Sequence, residues 1–248
     1  MRTEHPNQQI YSDYTAQDFA VWKILFDRQM ALLRPVASQA YLDALETVQF
    51  TNDRIPDFKQ VNALLQPLTG WALTVVPNLC PDKAFFEHLA QQQFTATCWL
   101  RSIEQLDYLE EPDMFHDVFA HVPLLSNKEY VGFFKGLSRL ALRFINDAEM
   151  IDILSRIYWF TIEFGMIREH GALKIYGAGI LSSKGETIHC LSDAAIKEPF
   201  DVAKILATGY RKDVRQEKYF VIESFEQLYR SLPVIEQALN AHYRLCRA

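Results

Sequence analysis

The sequence predicts a mainly α-helical protein that contains a few short β-strands. Before residue 70, three segments repeat the helical spacing of apolar side chains, and each is bounded by a capping residue, a proline or a glycine. Two later segments, WALTVV and KYFVI, are short and rich in β-branched or aromatic residues, as strands are. With 248 residues and no linker-like stretch, the chain is expected to fold as one domain, residues 1–248.

The first three helices follow a polar arm, residues 1–14. The first helix begins after Thr15, which resembles a capping box with the aspartate three residues on, and it ends before Pro35. The second covers VASQAYLDALETV. The third begins at Pro56 and stops between residues 67 and 70.

The middle of the chain should hold a small β element inside a helical protein. WALTVV and FTATCWLR are expected to be strands, with a helix, DKAFFEHLAQQQ, between them. A short helix starts at Pro112 and should end near His121, because Pro123 biases its predecessor away from the helical region. Two long helices are expected next, SNKEYVGFFKGLSRLALRFIN and AEMIDILSRIYWFTIEFGMIREH.

The last part of the chain mixes both types of element. ALKIYGAGILSSKGETIHCL is typical of strand and turn, with glycines where the backbone bends or approaches another group closely. DVAKILATG predicts a short helix and KYFVI a strand. SFEQLYRSLPVIEQALNAHYRL predicts a final amphipathic helix in which Pro233 favours a kink.

Charge and composition exclude several partner classes. The net charge is −6 and no basic stripe is present, which argues against nucleic acid or an anionic membrane as the main partner. No window approaches a transmembrane run, and the polar start lacks the apolar region of a signal peptide. The widely spaced cysteines, Cys80, Cys98, Cys190 and Cys246, suit a reducing cytosol, so a cytoplasmic protein is expected.

Two histidines in LEEPDMFHDVFAHVPLL indicate a metal site. His116 and His121 lie five residues apart, which on an ideal helix separates them by about 140°. They can reach one ion only if the helix widens there, as a π-type turn does, or if it ends at the second histidine. Taken alone, such a pair is more often a pair of capping or core histidines, and a third ligand is required.

Glu163 is the third ligand that the sequence suggests. It lies in IYWFTIEFGMI, with apolar or weakly polar neighbours on every face and no cationic residue three or four positions away. A carboxylate buried there has to be protonated, paired or bound to a metal. Two histidines and one carboxylate form the facial arrangement of non-haem ferrous oxygenases, although zinc accepts the same ligands. The zinc-protease pattern H-E-x-x-H is absent.

Three further residues have a functional and an ordinary interpretation. Arg101 follows an apolar run, from which it can reach into a pocket and hold a carboxylate, or remain a solvated arginine at a strand end. Asp113 is by default a helix cap. Trp159 lies one helical turn before Glu163, so its indole is expected either beside the metal or in the core.

Three motifs in the same order carry a resemblance to a known family. EPDMFHDVFAHVPLLS, IYWFTIEFGMI and IYGAGILSS resemble the aromatic amino acid hydroxylases, and the short chain is most similar to the bacterial members that act on phenylalanine. The resemblance implies a helical, basket-like catalytic domain with a few short strands. It also implies Fe(II) held by His116, His121 and Glu163, a tetrahydropterin cosubstrate, and dioxygen. The implied reaction is para-hydroxylation of L-phenylalanine to L-tyrosine.

The resemblance also implies roles for individual residues. Arg101 matches the arginine that binds the amino-acid carboxylate, and Asp113 the aspartate that orients it. Residues matching the substrate pocket are Trp159, Phe164, Gly179 and Ser182. On the pterin side, Phe85 matches the stacking phenylalanine, with Phe86 as a neighbouring alternative, and Tyr158 matches a tyrosine near both pterin and iron.

The chain departs from the family at several points. Asp117 stands where most members have a glutamate that contacts the pterin through water, and Leu109 replaces a threonine that helps to hold substrate in animal enzymes. The regulatory domain and tetramerisation helix of animal members have no counterpart here, so a monomer or small homo-oligomer is expected. Tyrosine or tryptophan as substrate, a zinc-dependent hydrolase and a non-catalytic helical protein remain alternatives.

Overall fold

The computed structural model describes residues 5–107, 109 and 111–245. Eleven α-helices occur in these residues: α1 Ala16–Leu33, α2 Gln39–Thr47, α3 Phe58–Thr69, α4 Asp82–Ala90, α5 Lys128–Arg143, α6 Ala148–Tyr158, α7 Ala178–Leu181, α8 Lys184–Cys190, α9 Val202–Ala207, α10 Phe225–Arg230 and α11 Leu232–Leu245. Six short strands accompany them: β1 Ala72–Val75, β2 Gln93–Ala96, β3 Met166–Glu169, β4 Ala172–Ile175, β5 Ile196–Pro199 and β6 Lys218–Ile222. The fold is therefore mainly α with a few short strands, as predicted.

The first three helices lie in the predicted segments, with ends that differ from the predicted ones by at most three residues. At Thr15, the side-chain oxygen accepts from the backbone N–H of Asp18, whose carboxylate accepts from the Thr15 N–H in return, which completes the capping box before α1. Ser38 caps α2 with a single bond, in which its hydroxyl oxygen accepts from the Tyr41 N–H. Gly70 ends α3 with a left-handed φ of 79°, a conformation that costs glycine little.

The described part of the polar N-terminal arm, residues 5–14, packs on the domain. The amide oxygen of Gln9 accepts from the Phe58 N–H at 2.7 Å, and the Tyr14 hydroxyl donates to the Cys98 carbonyl at 2.7 Å. Residues 1–4 of the arm lie outside the described residues. These bonds link the start of the chain to α3 and to the segment after β2.

The strands form two small sheets. β1 and β2 pair in parallel, with Ala72 opposite Gln93, and α4 is the connection that a parallel pair requires. The second sheet has the order β4-β3-β6-β5, in which β3 and β4 are antiparallel and the other pairs are parallel. This second sheet places the chain after Glu163 against the C-terminal part of the molecule.

The structure corrects three sequence predictions. The long helix predicted to run to His170 ends at Glu163, and Met166–Glu169 is β3. Apolar residues on every face look the same in a buried helix and a buried strand, so spacing did not place this boundary. The segment predicted as strand and turn is a strand only through Ile175, and α7 and α8 follow. The final helix is divided at Ser231 into α10 and α11, with Pro233 in the first turn of α11. β5 was not predicted.

Two π-helices run through one contiguous hydrophobic core. The histidine π-helix is Phe115–His121, and the glutamate π-helix, Trp159–Glu163, continues α6. Phe115 and Phe119 stack on each other inside the core, with ring centroids 4.6 Å apart. In the glutamate π-helix, Phe160 packs against Phe220 of β6 with ring centroids 5.3 Å apart, so aromatic packing covers the apolar face of both helices.

A buried hydroxyl donates to a backbone carbonyl in or next to each π-helix. In an α-helix the residue four places after Phe119 would donate to its carbonyl, but that residue is Pro123, which has no N–H. The Tyr41 hydroxyl, fully buried in α2, donates to this carbonyl at 2.8 Å. The Thr161 hydroxyl of the glutamate π-helix donates to the Ile157 carbonyl in the last turn of α6. At Phe119 a side chain thus supplies a bond that the backbone cannot.

No helix in the described residues is long and apolar enough to cross a membrane.

The substitution Tyr41→Phe removes only the hydroxyl that satisfies the Phe119 carbonyl. Because that carbonyl is buried, the free energy of unfolding should fall by about 1–3 kcal/mol, measured by urea denaturation. Tyr11→Phe is the matched control, since the Tyr11 hydroxyl also donates to a carbonyl, that of Ile55, but from a side chain 36% exposed. Equal losses in the two variants would contradict a special role of the Tyr41 bond.

Candidate metal centre

The histidine π-helix brings His116 and His121 to the same side. Its hydrogen bonds run from residue i to residue i+5, so residues five apart are about one turn apart and their side chains can converge. The rings lie 5.0 Å apart, centroid to centroid, and nearly perpendicular, at 85°. The prediction that the helix widens between the two histidines is confirmed.

Glu163, at the end of the glutamate π-helix, completes a three-ligand cluster. The Nε2 atoms of His116 and His121 are 3.3 Å apart. The Glu163 carboxylate lies 3.6 Å from the first of these nitrogens and 3.2 Å from the second. In the described part of the chain this is the one group of histidine, cysteine and carboxylate side chains whose ligand atoms gather within 4.8 Å of one another.

A hydrogen-bond chain fixes the tautomer of His116. The Ser182 hydroxyl lies 2.8 Å from His116 Nδ1 and 2.8 Å from the Ala178 carbonyl oxygen. A carbonyl can only accept, so the hydroxyl hydrogen points to Ala178 and the Ser182 oxygen accepts from an Nδ1–H of His116. The neutral ring then carries its lone pair on Nε2, which faces the cluster, and such an outer partner is usual for a metal-bound histidine.

The ionisation states of the cluster match those of metal ligands. Burial lowers the pKa of His116, which keeps the imidazole neutral, although Glu163 opposes this. Burial by itself would raise the pKa of Glu163, but His121, His116 and the Tyr158 hydroxyl lower it to about 2. Glu163 is therefore an ionised carboxylate with a side chain only 13% exposed.

The donor set fits a metal ion. Three atoms that can offer lone pairs face one another, and the tautomer of His116 leaves no proton on its Nε2. The side chain of His121 is 3% exposed and packs against the Phe94 ring, 5.0 Å away. A divalent cation between the three side chains satisfies all three atoms at once, and two imidazoles with one carboxylate suit iron or zinc.

Asp117 faces away from this cluster toward the end of β2. Its carboxylate accepts from the backbone N–H and the hydroxyl of Thr97, both at 2.8 Å. Burial raises the pKa of Asp117, and its attraction to His116 and the bonds from Thr97 oppose that rise. These two bonds fasten the histidine π-helix to the two-stranded sheet.

Arg101 and Asp113 form a buried two-pronged ion pair. Arg101 Nε and Nη2 donate to the two carboxylate oxygens at 2.9 and 2.8 Å, and the Arg101 N–H donates at 2.9 Å. Asp113 is fully buried and also accepts from the His116 N–H at 3.4 Å, so it caps the histidine π-helix as well. The pair uses the guanidinium edge formed by Nε and Nη2, and within the described residues Nη1 makes no hydrogen bond. Nearby in the chain, Leu109, which stands where animal members of the family have a threonine, is half-buried.

The rings of Trp159 and Phe164, two residues near Glu163 in the chain, form what we call the aromatic wall. They lie 4.6 Å apart, centroid to centroid. Gly179 permits this arrangement, because a Cβ added there would lie 2.7 Å from the Phe164 ring. Within this wall Trp159 is half-buried and is not enclosed in the core, whereas Phe164 is buried.

Two residues that the sequence did not indicate, Tyr210 and Gln216, contact the Trp159 indole. Tyr210 stacks on Trp159 with ring centroids 4.5 Å apart, and the Gln216 side-chain oxygen accepts from the Trp159 indole N–H at 2.8 Å. Both lie in the polar stretch TGYRKDVRQEK, where neither spacing nor hydrophobicity signals a site.

A second aromatic pair includes Tyr158, whose hydroxyl bonds to the Glu163 carboxylate. Phe85 on α4 contacts Tyr158 edge to face, at 5.7 Å between centroids, and both rings are half-buried. The neighbouring Phe86 is a core residue, 5% exposed. Of the two phenylalanines, Phe85 is the one with a ring face available to a ligand.

A family model and a known bacterial protein both match most of this chain. A family model described as biopterin-dependent aromatic amino acid hydroxylase matches residues 3–246. The phenylalanine-4-hydroxylase of Ralstonia nicotianae is 44% identical over 230 residues, which are 92% of this chain and 73% of the relative.

Solved structures agree with the sequence comparisons. A crystal structure of Chromobacterium violaceum phenylalanine hydroxylase with bound oxidised Fe(III) superposes with a TM-score of 0.90 at 42% identity, covering 96% of this chain and 86% of the other. A second structure of that enzyme, with iron(III) and the oxidised cofactor 7,8-dihydrobiopterin, gives a TM-score of 0.88 at 42% identity, covering 96% and 87%.

The substitution Glu163→Gln should abolish stoichiometric Fe(II) binding. It removes the negative charge and one strong oxygen donor, so affinity should fall by more than about 100-fold, beyond the usual cost of losing an outer partner. Anaerobic Fe(II) titration with colorimetric iron analysis measures this, and circular dichroism checks the fold. Glu46→Gln, at an exposed position on α2, is the control that should bind like the wild type. Wild-type Fe(II) affinity in Glu163→Gln would remove Glu163 from the ligand set.

Proposed function

The chain belongs to the biopterin-dependent aromatic amino acid hydroxylase family, and we infer that it hydroxylates L-phenylalanine to L-tyrosine with Fe(II), a tetrahydropterin and dioxygen. The observation that carries this inference is the cluster of His116, His121 and Glu163 within a fold that matches a structure holding iron and dihydrobiopterin. A zinc-dependent hydrolase is not favoured, since the matching relatives are pterin-dependent monooxygenases.

We propose His116, His121 and Glu163 as the iron ligands. Among the described residues, no further histidine, cysteine or carboxylate joins these three, and a facial set of three ligands would leave positions for other groups on a bound iron. Iron(II) and the tetrahydropterin together supply the electrons with which dioxygen is activated to oxidise an aromatic ring. The protein keeps the His116 imidazole neutral and the Glu163 carboxylate ionised, and Ser182 holds the His116 ring in the orientation that binding needs.

Arg101 is proposed to bind the carboxylate of the amino acid. Its Nη1–Nη2 edge faces outward from the Asp113 pair and can form two parallel bonds to a carboxylate. Asp113 holds the guanidinium still and is bonded to the His116 N–H. The same carboxylate therefore fixes the distance between the substrate anchor and the first metal ligand.

The aromatic wall is proposed to place the substrate ring. Trp159 offers a half-buried apolar ring, and Phe164 packs against it. Phe164 has room there because Gly179 has no side chain. A phenyl ring held against such a wall, with its carboxylate on Arg101, has its para position aimed in one direction, which is how positioning accelerates a reaction.

Phe85 and Tyr158 are proposed to form the pterin side of the site. The half-buried Phe85 ring offers a face on which a flat heterocycle can stack, and Tyr158 fills the space between it and Glu163. Asp117 is proposed to support this side indirectly, because its carboxylate is engaged by Thr97.

The setting of the enzyme is also proposed. One contiguous core supports a single catalytic domain over residues 1–248. Cys80, Cys98 and Cys190 are free thiols, which supports a reducing, cytoplasmic location, while Cys246 lies outside the described residues. A monomer or small homo-oligomer is proposed, to be measured by light scattering.

Anaerobic reconstitution with Fe(II), followed by product analysis, tests the function. The protein is supplied with dioxygen and phenylalanine, tyrosine or tryptophan, with and without tetrahydropterin. We expect tyrosine from phenylalanine only when both Fe(II) and tetrahydropterin are present. Activity with Zn(II) alone, or no tyrosine under any condition, would refute the proposed function.

The substitution Arg101→Lys should weaken phenylalanine binding with iron retained. A lysine has one point charge and cannot reproduce the fork, so the KM for phenylalanine should rise roughly 10- to 100-fold, the loss of one or two charge-assisted bonds. Arg230→Lys, at a side chain 75% exposed on α10, is the matched control and should keep the wild-type KM. An unchanged KM in Arg101→Lys, at unchanged iron content, would exclude the carboxylate role.

A further inference from the structure

Gln216 is a buried polar residue in an otherwise exposed segment. It is 5% exposed and lies at the end of the stretch 208–217 that links α9 to β6, in which residues 211–215 are all exposed. A glutamine is rarely this buried unless its polar atoms are bonded. Its burial therefore calls for a specific set of partners.

The Gln216 side chain joins the aromatic wall to the exposed segment. Its oxygen accepts from the Trp159 indole N–H at 2.8 Å. Its amide nitrogen donates to the carbonyl oxygens of Arg211, at 2.8 Å, and Val214, at 3.2 Å. One side chain thus holds both the indole and the backbone turn formed by residues 211–214.

The Gln216 backbone is held by different partners. Its N–H donates to the Glu186 carboxylate on α8 at 3.3 Å, and its carbonyl oxygen lies 3.0 Å from Nε2 of His189, also on α8. The Tyr219 hydroxyl donates to the other Glu186 oxygen at 2.6 Å. Because the backbone is fixed independently, a change of the side chain acts on Trp159 and on residues 211–214 without releasing the chain at position 216.

The same segment contacts Trp159 a second time. Tyr210 stacks on the indole at 18° between planes, and its hydroxyl donates to the Ser155 hydroxyl oxygen at 3.1 Å. The indole therefore contacts the rings of Tyr210 and Phe164, and the bond to Gln216 fixes the direction of its N–H.

We propose that Gln216 is a positioning residue for the hydroxylation, which acts by orienting the Trp159 indole and the 211–214 turn against the aromatic ring of the substrate. This inference rests on the proposed function. Gln216 itself does not touch the reacting atoms. Its contribution is to the fit of the amino-acid side chain, and neither the metal ligands nor the pterin side depends on it.

Gln216→Met tests the proposal, because it keeps the size of the side chain and removes its three hydrogen bonds. The KM for phenylalanine should rise on the order of tenfold, while the KM for tetrahydropterin and the Fe(II) affinity stay at wild-type values. Gln227→Met is the matched control, since Gln227 on α10 bonds the Glu223 N–H far from the site and should leave every kinetic value unchanged.

Gln216→Glu separates the two contacts of the side chain. The carboxylate keeps an acceptor for the Trp159 N–H but cannot donate to the carbonyls of Arg211 and Val214. The KM for phenylalanine should lie between those of the wild type and Gln216→Met. If Gln216→Met does not fold, Gln216→Glu carries the test alone, with a raised KM for phenylalanine as the expected result.

A double-mutant cycle with Trp159→Phe identifies the route of the effect. If Gln216 acts through the indole, adding Gln216→Met to Trp159→Phe should raise the KM for phenylalanine less than Gln216→Met does alone. Additive effects, an unchanged KM for phenylalanine, or equal losses in iron affinity and pterin KM would overturn the proposal. A wild-type protein that forms no tyrosine would instead refute the proposed function, so the two failures are distinguishable.

Discussion

Three lone-pair atoms have to face one point inside the protein, and the two π-helices bring them there. In regular α-helices, His116 and His121 would point about 140° apart. The widened turn at Phe115–His121 removes that separation, and a second widened turn at Trp159–Glu163 ends at the carboxylate. π-type turns are rare and occur mostly as single turns within α-helices. The Tyr41 hydroxyl satisfies the Phe119 carbonyl in the first, the Thr161 hydroxyl bonds to the Ile157 carbonyl just before the second, and aromatic packing covers the apolar faces.

Around the cluster, the polar site residues are each bonded to a partner on a different element. Ser182 of the α7 end orients His116, Thr97 after β2 holds Asp117, and Arg101 pairs with Asp113. Buried polar groups must be bonded, so each pair fixes a side chain and, at the same time, the distance between two segments of the fold. The site is assembled from distant parts of the chain because its own hydrogen bonds require those parts to meet.

Capping residues and apolar spacing predicted most of the helices. They failed where pairing between distant strands selects a strand instead of a helix. Thr15 caps the start of α1 and Gly70 caps the end of α3, and both of these helix ends lie where the sequence predicts. The helix containing Glu163 was predicted to continue to His170, because its apolar residues fit a buried helix as well as a buried strand. Pairing of β3 with β4 and β6 selects the strand. The glycine-rich stretch after Ile175 was interpreted as turn, although Ser183 caps a helix within it.

The sequence by itself determined the donor set and the need for a widened helix. A glutamate among apolar residues without a nearby cation needs a partner, and two histidines five apart cannot meet on a regular helix, so both conclusions follow from spacing and solvation. Only the tertiary structure decided the tautomer of His116 and the place of Gln216 beside Trp159. Their partners lie far along the chain, Ser182 66 residues after His116 and Gln216 57 residues after Trp159. Contacts at that separation are created by packing, and no local pattern of residues encodes them.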